Sequence, residues 1–427
     1  MIGILGGGLS GVSLQRFLRR ESEILEKEDR PGGLCRTFKK DGFSYDIGGH
    51  ILYSKDADLS RLWRSALAKN INFCRRNNKV LFRGRYVKYP FENDLGSLDK
   101  EDTYECLMGY LKNDHRKPRN FKEWIYYTFG TGIAEEYLIP YNEKLWKVPL
   151  DRMSLGWVER VPKPPLEDVV KSAVGIETEG YTHQLYFNYP RHGGIEAFVR
   201  SLKKEGTDIT TDFTIRSVAK KKGLWHVSDG ARDRRYDKIV LAMPLHEAAR
   251  AFSGTPVKVA RAIEGLRYNS VRIVLVGVKN DSLLDKSAVY IPGHDIVAHR
   301  VCFMGYFSPA NVPAGRSSLI AEVSTRKGHP LARLSASALT ARAIQGLHAK
   351  GIIDKKDVTT TDVTDIEYGY VVNDMRYAKN MMVVKKYFRS IGVALLGRFA
   401  EFEYINMDEV VRRSMALAAK LNKGRSG

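Results

Sequence analysis

The chain has 427 residues, 43% of them hydrophobic, so it is long enough for two or three domains around a large core. No apolar run approaches the roughly 18 residues that span a bilayer, and an apolar strand begins at Ile2, so we expect a cytoplasmic protein with no signal peptide and no transmembrane segment. The formal net charge of +20 favours anionic partners, but the basic residues are dispersed and no nucleic-acid-binding motif appears, so we expect an anionic small molecule and no nucleic acid.

The first predicted element is a short apolar strand that runs into a glycine turn within residues 2–11, and residues 10–20 have the pattern of a helix. Three glycines stand at G-x-G-x-x-G spacing, which permits close approach of the backbone to a pyrophosphate and close packing of helix on strand. A second strand over 23–25 ends at Glu26, where a carboxylate can accept hydrogen bonds from ribose hydroxyls. The pattern predicts a dinucleotide site of the Rossmann type, and an ordinary glycine turn is the alternative. The predicted contacts are Gly6, Gly8, Leu9, Ser10, Gly11, Glu26 and Lys27.

A second glycine loop follows directly. The segment Lys27-Glu-Asp-Arg-Pro-Gly-Gly-Leu-Cys-Arg-Thr37 and the later Gly48-Gly49-His50 together resemble the extended FAD signature of the amine oxidase superfamily. The resemblance implies noncovalently bound FAD, with His50 beside the flavin ring to position and tune it. Paired glycines also mark ordinary turns, and a structural histidine is the alternative at position 50. The contacts implied here are Gly33, Leu34, Arg36, Gly49 and His50.

The later segments predict a switch from helices to strands. Helical periodicity covers residues 59–69, 104–112, 121–129 and 132–139. Strand patterns cover 185–189, 213–218, 224–228 and 238–244, which we interpret as a return to the nucleotide-binding sheet. Antiparallel strands are predicted over 270–279, 288–291, 297–304 and 317–323, then a helix over 335–350, a strand over 392–396 and a final helix over 408–421.

These elements predict an α/β fold with three parts. A Rossmann-type FAD-binding domain is discontinuous, a mainly helical insertion forms a substrate or cap domain, and a mostly antiparallel β-sheet forms a second substrate domain. The predicted boundaries are 1–58, 185–250 and 385–427 for the FAD-binding domain, 59–184 for the helical domain and 251–384 for the sheet domain. The oligomeric state is left open, a homo-oligomer included.

Three later motifs are more specific. Tyr141-Asn-Glu-Lys-Leu-Trp-Lys-Val-Pro149, Tyr290-Ile-Pro292 and Gly397-Arg-Phe-Ala-Glu-Phe-Glu-Tyr-Ile-Asn-Met-Asp408 resemble, in this order, segments of eukaryotic-type UDP-galactopyranose mutases. The resemblance implies a mutase that interconverts pyranose and furanose forms of a nucleotide-sugar such as UDP-galactose. It also implies that N5 of the reduced flavin is the nucleophile, with NAD(P)H as a possible reductant.

The same resemblance implies a set of site residues. Arg160 and Arg398 are the candidates to hold the diphosphate, and Lys279 stands where the family has a further arginine. Trp146 could instead be a core aromatic, and Arg160 could pair with Glu159 or face solvent. The implied catalytic residues are His50, Arg160, Lys279 and Arg398. The implied substrate contacts are Tyr89, Phe91, Asn142, Trp146, Arg160, Tyr290, Tyr370, Arg398 and Tyr404. The further flavin contacts are Ile215, Gly397, Asn406 and Met407.

Several departures keep the reaction open. Lys279 cannot form the bidentate fork of an arginine, and Ala288, Phe307 and Glu92 replace a tryptophan, a tyrosine and a glutamine of the mutases. A FAD-dependent oxidase or dehydrogenase acting on an amine, a porphyrinogen or an isoprenoid is therefore the main alternative, although such an enzyme needs a largely apolar tunnel. A flavin-binding protein without turnover is a third possibility. The four cysteines have no metal-ligand spacing, so we predict no metal site.

Overall fold

A computed structural model describes residues 1–179, 185–204 and 206–423, with the side chains of all of these except 159 and 160. Its strands are β1 Ile2–Leu5, β2 Ser22–Leu25, β3 Thr37–Lys40, β4 Phe43–Asp46, β5 Asn72–Arg75, β6 Asn78–Phe82, β7 Arg85–Lys88, β8 Tyr186–Tyr189, β9 Asp208–Thr210, β10 Ser217–Lys221, β11 Leu224–Ser228, β12 Asp233–Tyr236, β13 Lys238–Leu241, β14 Arg267–Val278, β15 Ala288–Tyr290, β16 Arg300–Phe303, β17 Ser317–Thr325, β18 Val358–Val372 and β19 Ala394–Leu395. Its α-helices are α1 Leu9–Phe17, α2 Ala57–Leu67, α3 Lys100–Leu111, α4 Phe121–Ile133, α5 Ile139–Trp146, α6 Leu166–Ala173, α7 Glu196–Ser201, α8 Leu245–Ala251, α9 Val257–Glu264, α10 Met304–Phe307, α11 Ala336–Ala349, α12 Tyr377–Ser390 and α13 Met407–Lys423.

A five-stranded parallel sheet carries the N-terminal glycine motif. Its order is β19-β13-β1-β2-β9, with Ile2 of β1 opposite both Ser22 and Lys238. Strand β1 has the sequence Ile-Gly-Ile-Leu, and all four of its residues are buried. Such a run of buried, mostly aliphatic residues is typical of a parallel strand that is covered on both faces of the sheet. The predicted Rossmann-type sheet is therefore confirmed.

Gly11 explains how α1 reaches this sheet. A Cβ at Gly11 would lie 2.1 Å from the carbonyl oxygen of Gly6, so any side chain there would push the helix off the strand. Gly6 itself has a φ of 120°, which favours glycine and allows the tight turn. Behind α1, Ser414 of α13 donates to the carbonyl oxygen of Ser10 at 3.3 Å, which places the C-terminal helix against the glycine turn.

The second large layer is a seven-stranded sheet of order β18-β14-β17-β16-β15-β6-β7. Its pairs are antiparallel except for β15 with β6, which is parallel. The two sheets share one hydrophobic cluster, which contains Ile4 of β1 and Ile273 of β14. The predicted fold class, an α/β protein with a parallel Rossmann-like sheet and a mostly antiparallel sheet, is confirmed.

Several predicted elements need correction. Of the segments predicted to return to the parallel sheet, β8 pairs instead with β5 in a two-stranded sheet, and β10 and β11 pair with each other in a three-stranded sheet with β12. The region predicted to be mainly helical also contributes the hairpin β6–β7 to the large sheet. The long strand β18 was not predicted, because its first half is rich in threonine and acidic residues and has no clear apolar alternation. The domain boundaries remain predictions.

Glycines allow helices α3 and α4 of the helical segment to pack closely against each other. A Cβ at Gly130 of α4 would lie 1.9 Å from the carbonyl oxygen of Gly109 in α3, so the two helices cross at backbone contact. The chain then passes through one π-helical turn, Ala134–Leu138, into α5, which carries Asn142. Among the described residues, no helix is both long enough and apolar enough to cross a bilayer.

Candidate functional site

Two cavities meet inside the molecule. The glycine-loop cavity, of ≈ 350 Å³, lies between the first glycine turn, the end of β2 and the second glycine loop. The tyrosine cavity, of ≈ 560 Å³, lies between the large sheet and the helical segment. The two cavities share five lining residues, which we call the junction: Leu34, His50, Ile366, Arg398 and Met407.

The two glycine loops contact each other through their backbones at the glycine-loop cavity. The N–H of Gly32 donates to the carbonyl oxygen of Gly7 at 2.9 Å, and a Cβ at Gly33 would lie 3.0 Å from the Cα of Gly8. A Cβ at Gly8 would meet no neighbour closer than 3.9 Å, so open space lies beside this glycine at the N-terminus of α1. Such an open, backbone-lined helix N-terminus is where a pyrophosphate is bound in dinucleotide sites.

Glu26 follows β2 and lines this cavity. Its Oε2 accepts from the N–H of Gly7 at 2.7 Å and its Oε1 accepts from the N–H of Glu28 at 3.0 Å. Burial raises the pKa of Glu26, and these two backbone N–H groups partly oppose that rise. Each carboxylate oxygen has a second lone pair, so Glu26 can also accept hydrogen bonds from ribose hydroxyls.

His50 and Arg398 define the junction. The Nδ1 of His50 is buried and has no hydrogen-bond partner among the described residues. Burial first, and then the charge of Arg398, lowers the pKa of His50 to about 4, so the imidazole is neutral at pH 7. Arg398 donates through Nε and Nη2 to the carbonyl oxygen of Ile405, at 3.2 and 2.8 Å, and lies 4.6 Å from the centre of the Tyr404 ring.

The residues predicted to contact the flavin divide into three groups. Those that line the glycine-loop cavity are Gly6, Gly8, Leu9, Ser10, Glu26, Lys27, Gly33, Leu34, Arg36, His50, Ile215 and Met407. Gly49 and Asn406 line the tyrosine cavity. Gly11 and Gly397 are not lining residues of either cavity. They support the site through packing, since a Cβ at Gly397 would lie 2.5 Å from the Oγ of Ser10.

Tyrosines dominate the second cavity. Of the predicted substrate contacts, Tyr89, Asn142, Tyr290, Tyr370, Arg398 and Tyr404 line it. The rings of Tyr89 and Tyr290 stack with centroids 4.6 Å apart, and those of Tyr370 and Tyr404 stack at 5.9 Å. Asn142 is held by two bonds: its Nδ2 donates to Leu138 and its Oδ1 accepts from Trp146.

Two predicted aromatic contacts belong to the core instead. Trp146 is fully buried beneath Trp157, with ring centroids 4.6 Å apart, and Trp157 is the tryptophan that lines the cavity. Phe91 is also fully buried, and its ring stacks on Tyr137 at 5.0 Å. Both side chains fill the hydrophobic cluster of the helical segment, so the prediction that they touch substrate is corrected.

Lys279 is the third correction. It stands six residues beyond Ile273, which lines the tyrosine cavity, so the extended strand β14 carries it roughly 20 Å away. There its side chain is 56% exposed and its Nζ pairs with Oδ1 of Asp357 at 3.2 Å. The side chain of Arg160 lies outside the described residues, and its role remains a prediction.

The cationic partner that sequence reasoning missed is Arg300. Arg300 on β16 and Glu322 on β17 are directly opposite each other, and both line the tyrosine cavity. Burial would raise the pKa of Glu322, but the charge and hydrogen bonds of Arg300 bring it down to about 2. Tyr370 donates to Oε2 of Glu322 at 3.2 Å, and the N–H of Gly49 donates to Oε1 at 3.3 Å. The pair thus links the second glycine motif to the tyrosine cavity.

Comparison with known proteins agrees with this architecture. A family described as flavin containing amine oxidoreductase matches residues 12–370. The solved structure of a reduced UDP-galactopyranose mutase is 26% identical, with a TM-score of 0.90 over 98% of this chain and 93% of that one. A provisionally named protoporphyrinogen oxidase from Exiguobacterium sp. 255-15 is 15% identical, with a TM-score of 0.78 over 99% of each chain, and shares the fold. An all-trans-retinol 13,14-reductase from Danio rerio is 36% identical over 52 residues, which are 12% of this chain and 9% of that protein.

Proposed function

The chain belongs to the flavin-containing amine oxidoreductase family, and on this basis we propose that it is a FAD-dependent mutase that interconverts the pyranose and furanose forms of a nucleotide-sugar such as UDP-galactose. The observation that carries the proposal is the presence of guanidinium groups, Arg300 and Arg398 among them, in a tyrosine-lined cavity that contains the junction. Guanidinium groups bind diphosphates through paired N–H donors, and a nucleoside diphosphate is the leaving group of a nucleotide-sugar. The 26% identity to a UDP-galactopyranose mutase over nearly the whole chain supports the same reaction class.

The chain has the residues to hold FAD. Gly8 and Gly33 offer close backbone approach at the pyrophosphate, Glu26 offers acceptors to the ribose, and His50 lines both cavities. Bound in its reduced form, FAD supplies an electron-rich ring nitrogen as the nucleophile of a mutase. The neutral imidazole of His50 contributes a hydrogen bond there rather than a charge.

Both arginines are held in fixed orientations before a ligand arrives. Arg398 is fixed by the carbonyl oxygen of Ile405 and by the ring of Tyr404. Arg300 is fixed by two bonds to Glu322, from Nε to Oε1 and from Nη2 to Oε2, each of 2.8 Å. Less side-chain entropy is lost on binding when donors are already ordered, so these positions favour capture of a diphosphate. Burial and the charge of Glu322 raise the pKa of Tyr370, which keeps its hydroxyl protonated as a donor.

One experiment separates this mutase from an oxidase. Chemically reduced enzyme is incubated with UDP-galactopyranose and, separately, with UDP-galactofuranose, and the products are followed by chromatography. We expect interconversion that requires reduced enzyme but consumes no reductant per turnover. We further propose NAD(P)H as the reductant, which bleaching of the flavin absorbance by NADH or NADPH would test.

An oxidase is the second candidate, favoured by one feature. Val271, Ile273 and Ile366 of β14 and β18 form an apolar strip along the tyrosine cavity and reach the junction. An apolar substrate would lie against such a strip. Reduction of bound FAD by an amine, a porphyrinogen or an isoprenoid, with no conversion of either UDP-sugar, would replace the mutase proposal by this one.

A further inference from the structure

Glu92 is a carboxyl group buried against the tyrosine cavity. It lies in the short 3-10 turn Phe91–Asn93, and only 2% of its surface is exposed although it lines the cavity. Helix α6 holds this turn in place, since the hydroxyl of Ser172 donates to the main-chain carbonyl oxygen of Glu92 at 3.1 Å. The backbone of Glu92 is therefore fixed while its carboxyl group borders the cavity.

The carboxyl group has no cationic partner among the residues that the structure describes. Among the described residues, no side chain hydrogen-bonds to it or forms an ion pair with it, and its own backbone N–H is the one group that lowers its pKa. Burial dominates and raises that pKa to about 7. A buried carboxylate without a donor is unfavourable, so a ligand that brings donors to Glu92 is favoured.

The surroundings of Glu92 are aromatic. Tyr137, whose ring lies 5.0 Å from Phe91, and Tyr110 both have raised pKa values, to which burial contributes most and Glu92 contributes further. After burial, Tyr89, Tyr141 and Tyr290 also raise the pKa of Tyr137. Aromatic faces attract cations, and phenol groups offer acceptors to N–H donors.

The tyrosine cavity is thus divided by charge. Arg398 belongs to the junction, and Arg300 and Arg76 also line the cavity, whereas none of these three arginines is among the groups that lower the pKa of Glu92. Tyr290 lies between the two regions, since its ring is 6.0 Å from the Arg300 guanidinium and stacks on Tyr89. A ligand that matches this distribution has an anionic group near the junction and N–H donors at the Glu92 end.

We propose that Glu92 determines substrate specificity by accepting hydrogen bonds from an amino group, either the exocyclic amino group of a nucleobase or an aliphatic ammonium group. The inference rests on the proposed function only in taking the tyrosine cavity as the substrate site. Among nucleotides, this role of Glu92 favours cytosine over uracil. Its carboxylate accepts a hydrogen bond from the N4 amino group of cytosine, whereas the O4 carbonyl of uracil at the same position repels it.

CDP and UDP form a close pair for the test, because they share the ribose and the diphosphate and their bases differ only at C4 and N3: cytosine has the N4 amino group and an acceptor at N3, whereas uracil has the O4 carbonyl and an N3–H. Binding of CDP, UDP and putrescine to reduced, FAD-loaded protein is measured by calorimetry at pH 8, where Glu92 is mainly ionised. The variants are Glu92→Gln, which keeps the shape and removes the charge, and Glu101→Gln, which removes an exposed carboxylate of α3 as a control.

We expect wild type and the Glu101→Gln control to bind CDP roughly ten- to a hundredfold more tightly than UDP, the range of one charge-assisted hydrogen bond. Glu92→Gln should lose this preference. If only putrescine binds, and Glu92→Gln abolishes its binding, the amino group that Glu92 recognises belongs to an aliphatic amine. The inference about Glu92 then holds, whereas the proposed nucleotide-sugar mutase activity is rejected. UDP bound as tightly as CDP by wild type, a preference unchanged in Glu92→Gln, or no binding of any of the three probes overturns the inference. The wild-type comparison holds even if the variant folds poorly.

Discussion

Arg300 and Glu322 face each other across β16 and β17 and exchange two hydrogen bonds, from Nε to Oε1 and from Nη2 to Oε2, each of 2.8 Å. Glu322 is 1% exposed, and the guanidinium of Arg300 is the largest of the influences that lower its pKa. Around the pair, Tyr370 reaches into the tyrosine cavity and Gly49 belongs to the second glycine motif. The ion pair therefore connects the tyrosine cavity to the second glycine motif.

Removing one member of the pair should destabilise the protein strongly. Arg300→Ala leaves a buried carboxylate without its cation, which costs about 3–5 kcal/mol of unfolding free energy. The double variant Arg300→Met with Glu322→Leu removes both charges and should lose less. Urea unfolding at saturating FAD measures this difference. A double variant that is less stable than Arg300→Ala would contradict the account.

Glu92 predicts a specific pH dependence of stability. Its folded pKa of about 7 lies above the ordinary value of 4.5, so the folded state holds the proton more tightly. The stability from this group is complete below pH 4.5 and is lost as the pH rises through 7. Glu92→Gln lacks this dependence, so its unfolding free energy relative to wild type should rise by about 3 kcal/mol between pH 4.5 and pH 8. Chemical unfolding of both proteins across this range measures the difference, and parallel curves would show that Glu92 does not titrate between the two states.

The two glycines Gly8 and Gly11 should respond differently to substitution. Gly8 has a φ of −67° and open space beside it, so Gly8→Leu should fold but fail to bind FAD, because the side chain fills the place of the pyrophosphate. Gly11→Leu should instead destabilise the apoprotein, since its Cβ would lie 2.1 Å from the carbonyl oxygen of Gly6. Flavin absorbance and circular dichroism of the purified proteins test both. A yellow Gly8→Leu protein would argue against this position for the pyrophosphate.

The glycine loops and the cavity arginines show where sequence reasoning succeeds and where it stops. The loops could be predicted because their requirement is local: a turn, a positive φ at Gly6 and backbone in contact with backbone at Gly33. Arg300 could not be distinguished from Lys279 in this way. The difference depends on which residues of β14 reach the cavity and on the register that sets Arg300 opposite Glu322, and register is a property of paired strands.

The aromatic residues of the helical segment illustrate the same limit. Trp146 and Trp157 both suit a stacking platform by residue type. Their positions are decided by a π-helical turn before α5 and by the 3-10 segment Leu155–Arg160, which turn Trp157 toward the cavity and leave Trp146 beneath it. Neither irregularity has a strong sequence signal. The sequence therefore could not show which of the two tryptophans lines the cavity and which lies in the core.

The last prediction concerns Arg398, which we propose as part of a diphosphate clamp at the junction. Arg398→Lys keeps the positive charge but removes the planar guanidinium group. In the wild type this group donates through Nε and Nη2 to the carbonyl oxygen of Ile405 and lies over the ring of Tyr404. Loss of one charge-assisted hydrogen bond should weaken nucleoside diphosphate binding by roughly ten- to a hundredfold.

Lys279→Arg provides the matched control for this variant, because it exchanges the same two residue types in reverse at an exposed position that pairs with Asp357. It should leave binding unchanged. Both variants are titrated with CDP and UDP by calorimetry in the reduced state, beside wild type. An effect of Lys279→Arg equal to that of Arg398→Lys would mean that Lys279 reaches the ligand after all. Unchanged affinity in Arg398→Lys would remove Arg398 from the clamp and leave the diphosphate to Arg300, with Arg160 the next side chain to test.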